Sequence, residues 1–364
     1  NTGGVVLEPA NGRNVVAIGA STKAQSFELW SSSSIGPTQS GTYGIFALAP
    51  GVSIQSARAD GISDSYNNDL RSTSGTSMST PSAASFAGVI QQMVQDGWLM
   101  GANENITAVN ISDVSPEWAN LNDNSIILGE GFVPSGALLK SILAIATTHI
   151  SDSVNYTGRN NESGFGVLNL SELVDLGSIL SEVRFDDVSP SDDVWIHDSF
   201  RLDDITPAQW LDDRSDGQSA LDDLIGLPWD GSGAAGPFLS TGQNWTKRLV
   251  PNGEDITITM SFPSSPEPYL VEDMQLIAHT SNGYFAIGET FDGDGFSTWH
   301  NYSVNIDDVE LFPNRNETTV GIEFSSTDLQ DIEWIDLEVR ARYISPSENP
   351  GYTGMGGDRV GFAL

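Results

Sequence analysis

The chain holds 364 residues, enough for two units with cores of their own, and carries 49 acidic against 15 basic side chains for a formal net charge of −34. A field of that sign repels phosphate backbones and anionic lipid, which makes nucleic acid and membrane surfaces poor partners. Cysteine is absent, so no disulfide or thiolate metal site exists, and no apolar run approaches the ~20 residues of a membrane span.

Hydrophobic residues make up 38% of the chain and charged ones 18%, the composition of a folded protein. An acidic, lysine-poor surface serves solubility by self-repulsion and equally serves life in salty water. Both uses suit a protein that meets the outside medium, so an extracellular or cell-surface location is expected. Asn-x-Ser/Thr sequons at Asn105, Asn110, Asn155, Asn161, Asn169, Asn244, Asn301 and Asn316 agree with a secreted glycoprotein, although a chain rich in Asn, Ser and Thr also generates several by chance. The opening "NTGGVV" lacks the basic and apolar regions of a signal peptide.

In chain order, "NVVAIGAS" (Asn14 to Ser21) is a continuous β-branched run closed by glycine and predicts a buried parallel strand. Next comes "SGTSMSTPSAASFAGVI" (Ser74 to Ile90), which leads into "ASFAGVIQQMVQDGW" (Ala84 to Trp98), a helix predicted from its apolar spacing and ended by Gly97. A serine hydroxyl is a weak nucleophile unless a base takes its proton and donors receive the oxyanion. Ser77, on a tight turn that opens a helix, would present its oxygen beside free N–H groups. Gly75 permits that turn, Pro81 suits a first helical turn, and Ala83 and Ala84 let the helix pack deep. The same residues also make an ordinary Ser/Thr-capped buried helix. Further on, "SGALLKSILAIATTH" (Ser135 to His149) predicts a second helix with Ser135 as N-cap. Strands alternating with helices define an α/β layer.

From about Val183 the texture changes. Asp-, Pro- and Ser-rich stretches give way to the alternating runs "EDITITMSF", "MQLIAHT", "YFAIGETF", "TTVGIEF", "IDLEVRARYI" and "VGFAL", with turns such as "SNG" and "DGDG" between them. Period-two patterning predicts an antiparallel β-sandwich. The seam falls near 180 to 190, dividing the chain into 1–183 and 184–364.

"GTSMSTPSAASFAG" resembles the nucleophile signature of the subtilisin-like serine proteases, Gly-Thr-Ser-Met-(Ala/Ser)-x-Pro with a small-residue helix behind it. Other segments resemble the same family in its order: "PANGRNVVAIGAS", "SSSIGPT" (Ser32 to Thr38), "LAPGVSIQSA" (Leu48 to Ala57), "GALLKSILAIATT" and "GFGVLNLSELV" (Gly164 to Val174). The resemblance implies an α/β fold, a subtilisin-like parallel sheet with flanking helices and a missing N-terminal part. It implies a serine endopeptidase acting on protein or peptide substrates, with Ser77 as nucleophile and Asn1 as side-chain donor of the oxyanion hole. The later half resembles, more weakly, the all-β jelly-roll sandwich that follows some subtilase catalytic domains.

The family's catalytic Asp and His precede the serine, and nothing here matches either. All four histidines, His149, His197, His279 and His300, follow Ser77 and read as structural or exposed. The resemblance therefore implies an N-terminal fragment of the same precursor that carries the triad Asp and His. The alternative is a non-catalytic surface or filament-associated scaffold built on a subtilase remnant. Catalysis of this kind needs no cofactor. Asp292 and Asp294 in "FDGDGF" offer hard oxygen ligands for a structural calcium ion, although an Asp-Gly run is equally a solvated turn. Trp299 reads as a core residue, with sugar stacking as the other use of such a ring.

Overall fold

The computed structural model describes residues 6–23, 27–97, 99, 106–110, 125–129, 131–150, 159–173, 194–202, 234–264, 272–292, 294–309, 316–345 and 359–364, with 106–110 and 125–129 described by backbone alone. The fold is mixed, with two α-helices and strands in several sheets among the described residues. The predicted seam at 180–190 lies outside them.

The first part is organised around a four-stranded sheet of order β1-β2-β8-β7, built from β1 (Ile18–Ser21), β2 (Ala47–Pro50), β7 (Thr147–Thr148) and β8 (Val167–Leu168). β1 runs parallel to β2 and β2 parallel to β8, as the apolar run at Asn14 predicts, while β7 is antiparallel. The strand is shorter than the run: Val15 is exposed, and regular pairing begins at Ile18. Gly164 lets the sheet close, because at φ +61° a Cβ there would sit 2.1 Å from the Phe46 carbonyl oxygen. Two further antiparallel pairs form, β3 (Ile54–Ala57) with β4 (Leu70–Thr73), and β5 (Ile106–Asn110) with β6 (Ser125–Gly129).

Helix α1 (Thr76–Gln95) starts eight residues before the predicted Ala84. Pro81 therefore lies inside the helix rather than in its first turn, and its missing N–H leaves the Ser77 carbonyl without the usual i+4 donor. Burial also differs from expectation. Ser79, Ala83, Ile90 and Val94 form one buried stripe, whereas Ala84 is exposed and Val89 is 45% exposed. Helix α2 (Gly136–Ile145) is the second predicted helix, shortened at its C-terminus because Thr147–Thr148, β-branched, pairs with β8 instead. Ser135 caps it as expected, accepting from the Leu138 N–H at 3.1 Å.

The later part carries a five-stranded antiparallel sheet, order β10-β16-β12-β13-β14: β10 (Asn244–Leu249), β12 (Asp273–Thr280), β13 (Tyr284–Ile287), β14 (His300–Asn301) and β16 (Ile335–Tyr343). Opposite it stands the pair β11 (Ile256–Ser261) and β15 (Thr319–Phe324), and β9 (Leu239–Ser240) pairs with β17 (Arg359–Val360). Five of the alternating runs fall on one of these strands, "YFAIGETF" over its first half only, while of "VGFAL" only Val360 lies in a strand. Inward residues of the two layers, among them Met260, Leu276, Phe324, Leu337 and Val339, share one core. Trp299 stacks on Phe324 with ring centroids 4.4 Å apart, which makes it a core residue. The "SNG" turn joins β12 to β13, with Gly283 at φ +88°.

The two parts meet across a buried junction. α2 packs on β11, where Ser141 Oγ and Thr259 Oγ1 lie 2.8 Å apart and Thr259 Oγ1 donates to the Ser141 carbonyl at 2.9 Å. Asn14 and Ser264 exchange two bonds, Nδ2 to carbonyl at 2.8 Å and backbone N–H to Oδ1 at 2.9 Å. The core beneath α1 and α2 contains Phe46, Ile90, Val94, Leu138 and Ile142 from the first part, together with Val194, Ile196 and Ala363.

Candidate active site

Parallel strands concentrate ligand sites at their carboxyl ends, and the Ser77 turn is fixed there by a short backbone chain. The Gly51 N–H donates to the Ser21 carbonyl at the end of β1 (2.9 Å), and the Gly75 N–H donates to the Gly51 carbonyl (2.8 Å). Gly51 must be glycine: a Cβ would meet the Ala20 Cβ at 2.7 Å and the Gly75 carbonyl oxygen at 2.8 Å. Ser74 Oγ accepts from the Ser53 N–H at 2.9 Å and ties the approach to α1 down on the other side.

Ser77 is the second residue of α1 and is exposed. The later hydroxyls of the same helix are turned back onto it: Ser79 and Thr80 donate to the Thr76 carbonyl, Ser82 to Met78 and Ser85 to Pro81. Ser77 has no preceding helical carbonyl to bond, and its hydroxyl makes no hydrogen bond among the described residues. In a chain with 49 acidic residues, the first turn of α1 contains none. The positive end of a 20-residue helix therefore stays unneutralised beside this oxygen. Chemically, the turn offers an accessible hydroxyl beside the N–H groups of a helix start, the nucleophile and oxyanion-donor part of an acyl-transfer site. Asn1 lies outside the described residues.

None of the four histidines is bonded to Ser77. Rather than ending a helix, His149 follows β7 and places Nε2 3.3 Å from Glu323 Oε2, and that partner raises its pKa against the opposing effect of burial. His197 stacks on Trp245 at 4.8 Å, and burial first, then Lys247, holds it down to about 4. His279 bridges Tyr302 Oη (2.8 Å) and Glu338 Oε2 (2.9 Å). His300 packs on Phe285.

Asp292 and Asp294 form the turn after β13, where Asp292 Oδ1 accepts the N–H groups of Asp294 (2.9 Å) and Phe296 (3.2 Å). Of the nearby acids, Asp307 pairs with Arg340 at 3.3 Å. No group of three or more His, Asp or Glu side chains is arranged to hold a metal ion among the described residues. Of the sequon asparagines, Asn105 and Asn155 lie outside the described residues and Asn110 is described by backbone alone.

A cluster that no sequence pattern marks lies at the junction. Arg159, 3% exposed, donates to Glu317 Oε2 (2.8 Å) and the Thr319 carbonyl (2.8 Å), with Glu289 Oε1 at 3.1 Å. Its guanidinium lies between the rings of Tyr43 (4.4 Å) and Phe165 (4.3 Å). Glu317 Oε1 also accepts the Tyr43 N–H, and Glu289 Oε1 the Gly321 N–H. Burial pushes the Glu289 carboxyl up to about 7 although Arg159 pulls it down. Lys140 is buried alongside, donating to Thr318 Oγ1 (2.8 Å) and the Arg13 carbonyl (3.2 Å), and burial lowers it to about 8. The partners of Arg159 lie far away in sequence, beyond the reach of any local motif.

The sequence model of the Subtilase family matches residues 1–166, the stretch that contains β1, β2, α1 and Ser77 and ends just before β8. Over this first part the chain is similar to the subtilases, a family of serine peptidases whose substrates are proteins. No curated protein matches the chain. No described helix is long and apolar enough to cross a membrane.

Proposed function

We propose that the chain is part of a secreted subtilisin-like serine endopeptidase in which Ser77 attacks the peptide carbonyl and forms an acyl-enzyme that water releases. The observation that carries this reading is the unbonded, exposed Ser77 hydroxyl at the acid-free N-terminus of α1, held at the carboxyl ends of β1 and β2. The Ser77 N–H and the side-chain amide of Asn1 are the oxyanion donors in this scheme, each donor of this kind being worth about 10² to 10³ in turnover. The triad Asp and His come from an N-terminal fragment of the same precursor that docks against the uncovered face of α1. Support for that docking comes from the exposure of Ala84 and Val89 opposite the buried stripe.

The β part is assigned as a jelly-roll companion that completes the core of the first. A structural calcium ion is assigned to the Asp292–Asp294 turn, with Asp294 and the second Asp292 oxygen as ligands and water completing the shell. Unchanged thermal stability in a chelator removes that assignment. The scaffold reading rests on one observation, the engagement of all four histidines away from Ser77. A fluorophosphonate probe applied to the assembly from its natural source separates the two readings. Labelling that maps to Ser77 and disappears in Ser77→Ala is expected. An assembly that contains the Asp- and His-bearing fragment yet leaves Ser77 unlabelled refutes the peptidase.

A further inference from the structure

Five sequon asparagines have described side chains, and the fold treats them differently. Asn161 has its Oδ1 enclosed, and the hydroxyl residue of its sequon, Ser163, is 4% exposed. Asn169 caps a 3-10 turn with Oδ1 and donates Nδ2 to Thr148 Oγ1 (2.9 Å) and Glu172 (3.2 Å). Asn316 donates Nδ2 to the Ser40 carbonyl (2.8 Å), and its sequon threonine, Thr318, is 2% exposed and holds Lys140. Asn244 gives Nδ2 to Glu338 Oε1 at 3.0 Å. A saccharide on the first three would displace contacts that hold the junction or the sheet together.

Asn301 is arranged the other way. It ends β14 at the edge of the five-stranded sheet, and Asn301, Tyr302 and Ser303 are all exposed. Its Oδ1 accepts both the N–H of Ser303, at 2.9 Å, and the Ser303 hydroxyl. Nδ2 makes no hydrogen bond among the described residues, so it faces solvent with both hydrogens available while the carbonyl end of the amide is pinned. Two donors on Oδ1 polarise the amide and fix its orientation. The adjacent Tyr302 is fastened by His279 Nδ1, so the segment has a defined shape without using the amide nitrogen.

We infer that Asn301 is the glycan-bearing asparagine of the five, its Nδ2 attacking the anomeric carbon of a lipid-phosphate-linked saccharide. One C–N bond forms, the bond from the anomeric carbon to the phosphate oxygen breaks, the lipid phosphate leaves with the electron pair, and one amide proton passes to the transferase base. The inference rests on the reading of a secreted protein. It is tested by peptide mass mapping of the chain purified from the culture medium and, separately, from cells of its natural source. The peptide carrying Asn301 is expected to gain a saccharide mass that Asn301→Gln and Ser303→Ala abolish and Ser303→Thr retains, while the Asn161, Asn169 and Asn316 peptides stay bare. A secreted chain with Asn301 bare, or with saccharide on Asn161 or Asn316 instead, overturns the inference and leaves secretion standing. A chain found only inside cells with no modified asparagine overturns both.

Discussion

Replacing Arg159 with methionine isolates the charge at the junction, because methionine keeps an apolar stem between Tyr43 and Phe165 and removes only the guanidinium. Three contacts disappear, those to Glu317 Oε2, Glu289 Oε1 and the Thr319 carbonyl. Two carboxylates are then left in the interior with no cation in direct contact, and breaking a buried pair from one side costs about 3–5 kcal/mol. In the wild type, the Glu289 carboxyl sits near 7 against an ordinary 4.5, so the folded state binds its proton more tightly than the unfolded state does. Stability therefore falls as pH rises from 4.5 through 7. Removing the guanidinium takes away what pulls the Glu289 carboxyl down, so that carboxyl rises further and the loss steepens and extends to higher pH. At pH 5 the Glu289 carboxyl is protonated in the variant, and its share of the penalty shrinks to the ~1–3 kcal/mol of unmade hydrogen bonds. Urea unfolding followed by circular dichroism at pH 5 and pH 8 measures the difference, and 1 M salt should not repair it because the site is buried. A penalty below about 1 kcal/mol at pH 8, or one equal at the two pH values, refutes the argument.

His197→Phe keeps the stack on Trp245 and removes the titrating ring. The wild-type imidazole is held down to about 4 from 6.5, so its neutral form contributes stability above pH 6.5 that is lost as pH falls toward 4. The variant should lose up to about 3 kcal/mol less over that window, read by acid unfolding. Ser135→Ala removes the cap of α2 and also the hydroxyl that donates to Asp198 Oδ1 at 2.9 Å. Asp198 is buried and retains the Ser135 and Phe200 backbone donors, so a loss of about 1–3 kcal/mol in chemical unfolding is expected.

The β strands were readable because β16 alternates buried and half-exposed residues along its length, the pattern a one-faced sheet imposes. β12 is buried on both sides, since Ile277 packs beneath Phe285, Ile287 and Val309, yet its apolar run between turn residues still marks it. The start of α1 was obscured because Ser, Thr and Pro at 76–82 have turn chemistry, and the helix forms there only because Gly75 is anchored to Gly51. The place of Ser77, exposed at the start of a helix, was legible from its neighbours, whose roles are local. Arg159, Glu289, Glu317 and Lys140 were not, because a buried charge is defined by partners that only the tertiary fold supplies. The histidines were legible only as four rings without a local role, and each is engaged away from Ser77.

The junction also decides whether the first part can stand alone. Cutting after residue 183 follows the compositional seam, yet it removes every acidic partner of Arg159, takes Thr318 away from Lys140 and Thr259 away from Ser141, and strips Ile196 and Ala363 from the core beneath α2. Two cations would then stand on an apolar face without counter-ions, and α2 would expose the side it now packs on β11. The expected result is that residues 1–183 produced alone lack near-ultraviolet circular dichroism and cooperative unfolding, and that adding residues 184–364 in trans restores both. A 1–183 fragment that unfolds cooperatively by itself would show that the buried bonds at Ser141, Lys140 and Arg159 join two finished domains; failure until the β part is supplied would mean that the subtilase part borrows its core from the sheet behind it.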